Sequence, residues 1–232
     1  MWSYYGSKSK VVDCYPKPLT DLIIEPFAGS ARYALKYFEK DVLLVDKNEI
    51  IVNIWKYLQK CSTDDILKLP ILKRGDKIDR SNFDCLEQAH LFGFIIQNGV
   101  SSPMLTCSKW GEVVMKKQIK DIAANLFKIK HWAIELGSYE QIRNSEATWF
   151  IDPPYQQGGH KYKCSNRLID FNALGQWCQT RVGQVIVCES SAATWLPFVP
   201  LKRNNGIRYT KTECIYTNYH THFNNIQQSL AL

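Results

Sequence analysis

Apolar positions along this chain alternate between two periods. Short unbroken runs, Leu22-Ile23-Ile24, Val42-Leu43-Leu44-Val45, Ala147-Thr148-Trp149-Phe150-Ile151 and Val185-Ile186-Val187-Cys188, read as buried strands, with Ala133–Gly137 as a further one. Between them the spacing becomes helical. Ala31, Ala34, Leu35 and Phe38 share one face, and Ile50, Ile51, Ile54, Trp55 and Leu58 share another on a helix over Glu49–Lys60, with Asn48 or Asp46 as its N-cap. Asp170 caps a helix to Thr180, and Tyr139–Arg143 and Ala192–Phe198 read as short helices. Leu201–Asn204 and Ile207–Tyr216 flank Asn204-Asn205-Gly206, a hairpin signal. This alternation predicts an α/β fold: a mostly parallel Rossmann-like sheet, helices on both faces, closed by a terminal antiparallel hairpin.

From Cys61 to Trp132 the pattern changes. A short helical piece, Cys61–Leu72, ends near Pro70 and is followed by the charged turn Lys73–Lys77. Phe83–Ile96 reads as a helix with Leu86, Ala89, His90 and Phe94 on one side. The loop Gln97–Gly111 carries an Asn-Gly turn and many small hydroxyl and amide side chains. Lys116–Trp132 reads as a basic amphipathic helix. Ile119, Ile122, Ala123, Leu126, Phe127 and Ile129 face inward, and Lys116, Lys117, Lys120, Lys128 and Lys130 face outward. The segment is expected to be an insertion with a binding face. Its lysine row is a candidate phosphate contact or a plain solvated face.

Composition narrows the class. With 232 residues, 45% hydrophobic and 12% aromatic, the chain can bury a sizeable core. A net charge of +7 suits a polyanionic partner, or only a solvated basic surface. Eight scattered cysteines without a C-x-x-C pair suggest reduced thiols and a cytoplasmic location. His160 with Cys164, or His220 with His222, lack further partners at metal-site spacing, so no metal is expected. Nothing indicates a signal peptide or a membrane span.

Four stretches carry candidate chemistry. Asp152-Pro153-Pro154-Tyr155 follows a strand, at the sheet edge where ligands bind in open α/β folds. Two prolines fix two φ angles and withdraw two N–H donors, so carboxylate and carbonyl oxygens beside an aromatic ring suit a planar heterocycle bearing an amino group. A proline-rich turn with a capping Asp is the alternative. Glu25-Pro26-Phe27-Ala28-Gly29-Ser30-Ala31 gives strand, Gly-containing turn and helix, the layout of a nucleotide-type pocket. Asp46 ends the second strand, placed to accept from two ribose hydroxyls or to cap the next helix. Trp2–Lys10 suits a loop lying against a ligand, and Gln156–Lys163, polar and Gly-rich, reads as a mobile loop over the site.

In this order, Tyr4-Tyr5-Gly6-Ser7-Lys8, Pro26–Ala31, Val45-Asp46-Lys47-Asn48 and Ile151–Tyr155 resemble the motif set of Dam-type (D12 class) DNA adenine-N6 methyltransferases. The resemblance implies a Rossmann-like domain using S-adenosylmethionine to methylate adenine N6 in double-stranded DNA by base flipping. It implies a cofactor half in residues 1–60, target recognition in 61–132 and a catalytic half in 133–232. Tyr4, Tyr5, Gly6, Lys8, Glu25, Pro26, Phe27, Ala28, Gly29 and Asp46 would bind the cofactor, with Asp152 also touching it. Asp152, Pro153, Pro154 and Tyr155 would hold the target adenine. Arg74, Asn98, Ser101, Ser102, Lys109, Lys116, Lys117 and Lys120 are the expected DNA contacts. A monomer or weak dimer in a bacterial or phage restriction-modification setting goes with this reading. Two positions depart from the family: Ala31 and Ser7 stand where glycines are usual, and both are expected to tighten the cofactor pocket. An RNA adenine methyltransferase and a non-catalytic DNA-binding module are the rival readings. A dinucleotide oxidoreductase would want G-x-G-x-x-G, which is absent.

Overall fold

A computed structural model describes residues 1–97, 99–108, 111–205 and 210–219. Strand β4, Ala147–Ile151, is buried at all five positions and forms the spine of the sheet. Its side chains alternate: Phe150 joins the core on one face, Trp149 and Ile151 the core on the other. β1 (Leu22–Glu25), β2 (Asp41–Asp46) and β3 (Ala133–Leu136) lie to one side of β4, and β5 (Gly183–Ser190), β6 (Val199–Asn205) and β7 (Thr210–Thr217) to the other. The order is β3-β2-β1-β4-β5-β7-β6. β1 to β5 pair in parallel, while β7 runs antiparallel between β5 and β6. This is a mixed, Rossmann-like α/β sheet closed by an antiparallel hairpin, as the hydrophobic pattern predicts; the hairpin's turn lies outside the described residues. Strand order reverses between β1 and β4, and the crevice beyond the carboxyl ends of such a pair is where open α/β sheets bind ligands.

The helices are α1 (Arg32–Lys36), α2 (Glu49–Lys60), α3 (Thr63–Leu67), α4 (Leu86–Ile95), α5 (Gly111–Ala123) and α6 (Phe171–Gln179). Asn48, not Asp46, caps α2, accepting from Ile50 N. Asp170 caps α6 as expected. One core joins Trp2, Tyr33, Ile54 and Phe150 to Ile66, Phe92, Met115 and Ile119, so α3, α4 and α5 share their packing with the sheet.

Several expectations need correcting. The helix expected over 116–132 stops at Ala123, and a separate 3-10 turn covers Leu126–Ile129. The Asn125 amide donates to the Asp121 carbonyl at that break. Phe127 is therefore turned outward, 61% exposed, against Phe38. Lys130 is not a free solvated lysine: its ammonium donates to the Gln59 and Cys61 carbonyls at the end of α2. On α4 the buried set is Ala89, Leu91, Phe92, Phe94 and Ile95, with Leu86 exposed and His90 half-buried. The chain at Pro103 and Met104 lies directly on Gly93, where a Cβ would fall 2.8 Å from Pro103. Ala192–Phe198 is irregular rather than helical. Pro197 disfavours helix at the residue before it, and the Trp195 indole donates to Glu189 and packs on Phe171 and Phe198 instead. All eight cysteines are free. Among the described residues, no helix is long and apolar enough to cross a membrane and no group of His, Cys, Asp or Glu forms a metal site. His220 and His222 lie outside them.

Candidate active site

The turn after β1 is shaped by two left-handed residues, Gly29 at φ 45° and Ala31 at φ 43°. Gly29 tolerates this freely; alanine does so at about 1–2 kcal/mol. The departure at Ala31 thus shows as backbone strain. The turn is fixed from three sides: Ala28 N donates to the Val45 carbonyl, Gly29 N to the Asp46 carboxylate, and the Trp55 indole to the Gly29 carbonyl. Asp46 also accepts from Asn48 N at 2.8 Å. Burial raises its carboxyl to about 6, with these amides pulling the other way. Glu25, at the end of β1, is buried and accepts from Ala34 N at 2.7 Å.

The N-terminal loop crosses this turn. Ser7 Oγ accepts from Arg32 Nε, and the Arg32 guanidinium also reaches the Met1 and Trp2 carbonyls. The departure at Ser7 therefore ties the loop to α1. Tyr4 packs on Gly29, and Tyr162 packs against both Tyr4 and Tyr5 while donating to the Tyr5 carbonyl. Gly6, at φ 74°, leaves room for that approach: a Cβ there would overlap the Tyr162 hydroxyl. The stretch expected as a mobile loop contains a helical turn, Gly159–Lys161, so its glycines do not leave it shapeless. Ser101 Oγ donates to the Lys161 carbonyl and Tyr5 N to the Val100 carbonyl, linking segment 61–132 to both loops.

Asp152 follows β4. Its carboxylate, with 23% of the side chain exposed, lies 2.8 Å from the Lys8 ammonium, of which 8% is exposed. Lys8 also donates to the Tyr155 hydroxyl at 2.6 Å and lies 3.5 Å from Glu213 on β7. Burial alone would lower the Lys8 pKa, but the carboxylates of Asp152 and Glu213 outweigh it and raise the value. For Asp152 burial wins instead, and it raises the carboxyl to about 6 despite Lys8. Among ordinary unperturbed carboxyls it is thus a weaker acid, yet mostly ionised at neutral pH.

These elements enclose one cleft of about 950 Å³, counting the space open to solvent. Tyr4, Tyr5, Gly6, Lys8, Glu25, Pro26, Phe27, Ala28, Gly29, Asp46, Asp152 and Pro154 all line it. Pro153 and Tyr155 do not; the Tyr155 hydroxyl is directed at Lys8 and Glu213. Tyr139, Tyr162, Leu168 and Ile169 also line the cleft, and sequence reasoning missed them. The Tyr162 position carried a signal, being an aromatic inside a glycine-rich stretch. Glu213 carried none beyond being an acid in a strand. Of the expected DNA contacts, Arg74, Ser102, Lys117 and Lys120 are exposed, Lys116 pairs with Glu112, and Ser101 is engaged as above. Asn98 and Lys109 lie outside the described residues.

Residues 4–90 match the D12 class N6 adenine-specific DNA methyltransferase family model. The match includes the N-terminal loop, Glu25–Ala31 and Asp46, and ends before Asp152. It supports a methyltransferase. Two solved structures align with most of the chain. One, from Escherichia coli and described as a candidate methyltransferase (yhhF), is 8% identical over 90% of this chain and 78% of its own, with a TM-score of 0.37. The other, described as a candidate methylase (HI0767) from Haemophilus influenzae, is 12% identical over 86% of this chain and 80% of its own, with a TM-score of 0.38. No curated protein matches the chain.

Three acids around one cleft have a measurable consequence. Burial pushes Glu25 from 4.5 to about 8, and Asp46 and Asp152 from 3.8 to about 6. Each native carboxyl therefore binds its proton more tightly than the unfolded one. The resulting stability is fully present below the unfolded value and is lost as pH rises through the folded one. Without ligand, the melting temperature is expected to rise as pH falls from 8.5 to 5.5, with a slope approaching ~1.4 kcal/mol per pH unit for each extra proton bound. Thermal melts of Glu25→Gln, which keeps an acceptor for Ala34 N, should show most of the slope above pH 6 removed. An unchanged slope would exclude Glu25 as its source.

Proposed function

We propose that this chain transfers a methyl group from S-adenosylmethionine to the N6 amino group of an adenine flipped out of duplex DNA. The observation that carries this reading is the Asp152 carboxylate, held by buried Lys8 where β4 ends, beside a cleft that also holds Glu25 and Asp46. The residues present fit that cofactor. Asp46 and Asp152 present carboxylate oxygens to the cleft, and these can accept hydrogen bonds from a ligand's hydroxyl or amino groups. Asp46 keeps its carboxylate fixed by two backbone amides, preorganised to accept from a pair of ribose hydroxyls. Tyr4 and Phe27 offer flat apolar walls.

Bound S-adenosylmethionine supplies an electrophilic methyl on a sulfonium. The chain's own groups prepare the other reactant. Asp152 Oδ1 is taken by Lys8, which leaves Oδ2 to accept one amino hydrogen, and the Pro153 carbonyl is proposed to accept the second. Accepting both hydrogens draws the nitrogen lone pair out of conjugation. Tyr155, three positions on, has its hydroxyl anchored, so its ring is fixed rather than swinging. A ring so fixed contributes ~1–3 kcal/mol when a base stacks on it, against the few kcal/mol that flipping costs. Catalysis is then positioning plus electrostatics. Residues 1–60 and 133–232 form the catalytic parts in this reading, and 61–132 contacts DNA through Arg74, Ser102, Lys117 and Lys120.

Incubation of the protein with methyl-labelled S-adenosylmethionine and either duplex DNA or RNA tests the reading. Label is expected in duplex DNA as N6-methyladenine, falling as salt rises. Label confined to RNA, or none in either nucleic acid, would overturn it.

A further inference from the structure

We propose that Glu213 is a positioning residue for Asp152: it fixes the Tyr155 hydroxyl, which then accepts from Lys8, and lies 3.5 Å from Lys8 itself, and so holds the ammonium where it pairs with Asp152. This deepens the methyl-transfer reading and rests on it. The family match ends far short of Glu213, and none of the four motifs includes it.

Donor and acceptor counting gives the direction of the chain. An ionised carboxylate only accepts, and a phenol has one hydrogen to give. Glu213 Oε1 accepts from Tyr155 at 2.5 Å and from Tyr15 at 2.7 Å. With its hydrogen spent there, Tyr155 presents only lone pairs to Lys8 at 2.6 Å. Lys8 then donates one hydrogen to Tyr155 and one to Asp152 Oδ1, and its third lies toward the Gly6 carbonyl and Glu213, each at 3.5 Å. The Lys8 ammonium lies 4.4 Å from the Tyr155 ring centroid, so the hydroxyl oxygen is its nearer contact. Lys8 is thus the donor to both sides, toward Tyr155 and Glu213 on one and toward Asp152 Oδ1 on the other, which leaves Asp152 Oδ2 free to accept.

The topology explains how an acid reaches this place. Because β7 runs antiparallel beside β5, Glu213 is in register with Ser190 at the carboxyl end of β5, the edge that carries the site. The neighbouring acid, Glu189, is turned elsewhere: it accepts from Gln156 N, Ser190 N and the Trp195 indole. The other charged or titratable groups around Asp152 are Lys8 from the N-terminal loop, Glu25 from β1, Cys188 from β5, and Tyr15, Tyr155 and Tyr162.

Glu213→Gln keeps an acceptor and removes the charge. Its kcat is expected to fall about 10–100-fold, the scale of losing one hydrogen bond to a charged group, with KM for S-adenosylmethionine within about twofold. The acid limb of its pH–kcat profile should move to lower pH, because a negative charge facing Asp152 has gone. Glu213→Asp should recover part of kcat. A second measurement needs no methyl transfer: carbon NMR of the Lys8 ε-methylene should show the ammonium losing its proton at lower pH in Glu213→Gln than in the unsubstituted protein. An unmoved acid limb and an unmoved Lys8 titration in a folded variant would overturn the proposal. If the unsubstituted protein methylates no nucleic acid while the Lys8 titration still shifts, the methyl-transfer reading fails and the Glu213–Lys8–Asp152 linkage stands. Tyr155→Phe, which deletes the middle link, should move the Lys8 titration in the same sense and serves if Glu213→Gln does not fold.

Discussion

Asp152→Ala is expected to lower methyl transfer by at least ~10³-fold while leaving DNA affinity within a few-fold. The size follows from what is lost. The carboxylate is the ionised acceptor at the end of β4, and removing a preorganised electrostatic partner from an enclosed site costs ~10²–10³ by itself. Here the substitution also strands Lys8, whose ammonium is 8% exposed and, among the described residues, retains Glu213 at 3.5 Å as its carboxylate neighbour. The pair's disruption destabilises the fold by less than the ~3–5 kcal/mol of a fully buried pair, because Asp152 is partly open and Glu213 remains. Asp152→Asn separates the two effects: it keeps the shape and an acceptor, so its melting point should stay nearer the unsubstituted value while transfer still collapses. Single-turnover assays beside DNA-binding titrations would decide the matter. Near-normal turnover in either variant would remove Asp152 from the chemistry.

Asp46→Ala should weaken S-adenosylmethionine binding about 100-fold, or ~2.7 kcal/mol, the scale of losing two hydrogen bonds to a charged acceptor. Because Asp46 Oδ1 and Oδ2 already accept from Asn48 N and Gly29 N, the alanine also leaves two amides without that partner. A lowered melting point is therefore expected as well, by ~1–3 kcal/mol for each amide that water does not reach. Calorimetry with S-adenosylmethionine, at a temperature where the variant is folded, distinguishes the two losses. Unchanged affinity would place the ribose elsewhere.

How much of this is legible in the sequence depends on whether a feature is local. The runs at Leu22–Ile24, Val42–Val45, Ala147–Ile151 and Val185–Cys188 became β1, β2, β4 and β5 because a strand buried on both faces leaves an unbroken apolar signature. Helix Glu49–Lys60 was readable to the residue because its apolar stripe and Asn48 cap agree. The turn Glu25–Ala31 and Asp46 were readable as neighbours of one cleft, since each ends a parallel strand. Three kinds of feature were not. α4 is buried nearly all round, so it has no stripe to read, and Leu86 was assigned to the wrong side. The stop at Ala123 turned on one side-chain bond from Asn125, which competes with the helical backbone without disturbing the hydrophobic period. Glu213 became part of the site through the antiparallel entry of β7, a tertiary event with no local trace.

That long-range closure also orders the protein's assembly. Tyr15 and Glu213 meet across 198 positions, and the same carboxylate draws in Lys8 and Tyr155. Contacts of such separation carry the loop-closure entropy that makes them late in folding. The turn after β1 and the Asp46 bonds join residues near in sequence and use none from β7, whereas the Glu213 contacts with Lys8 and Tyr155 wait for it. A chain truncated before β7 is therefore expected to lack one of the carboxylates that hold Lys8 and Tyr155 beside the cleft.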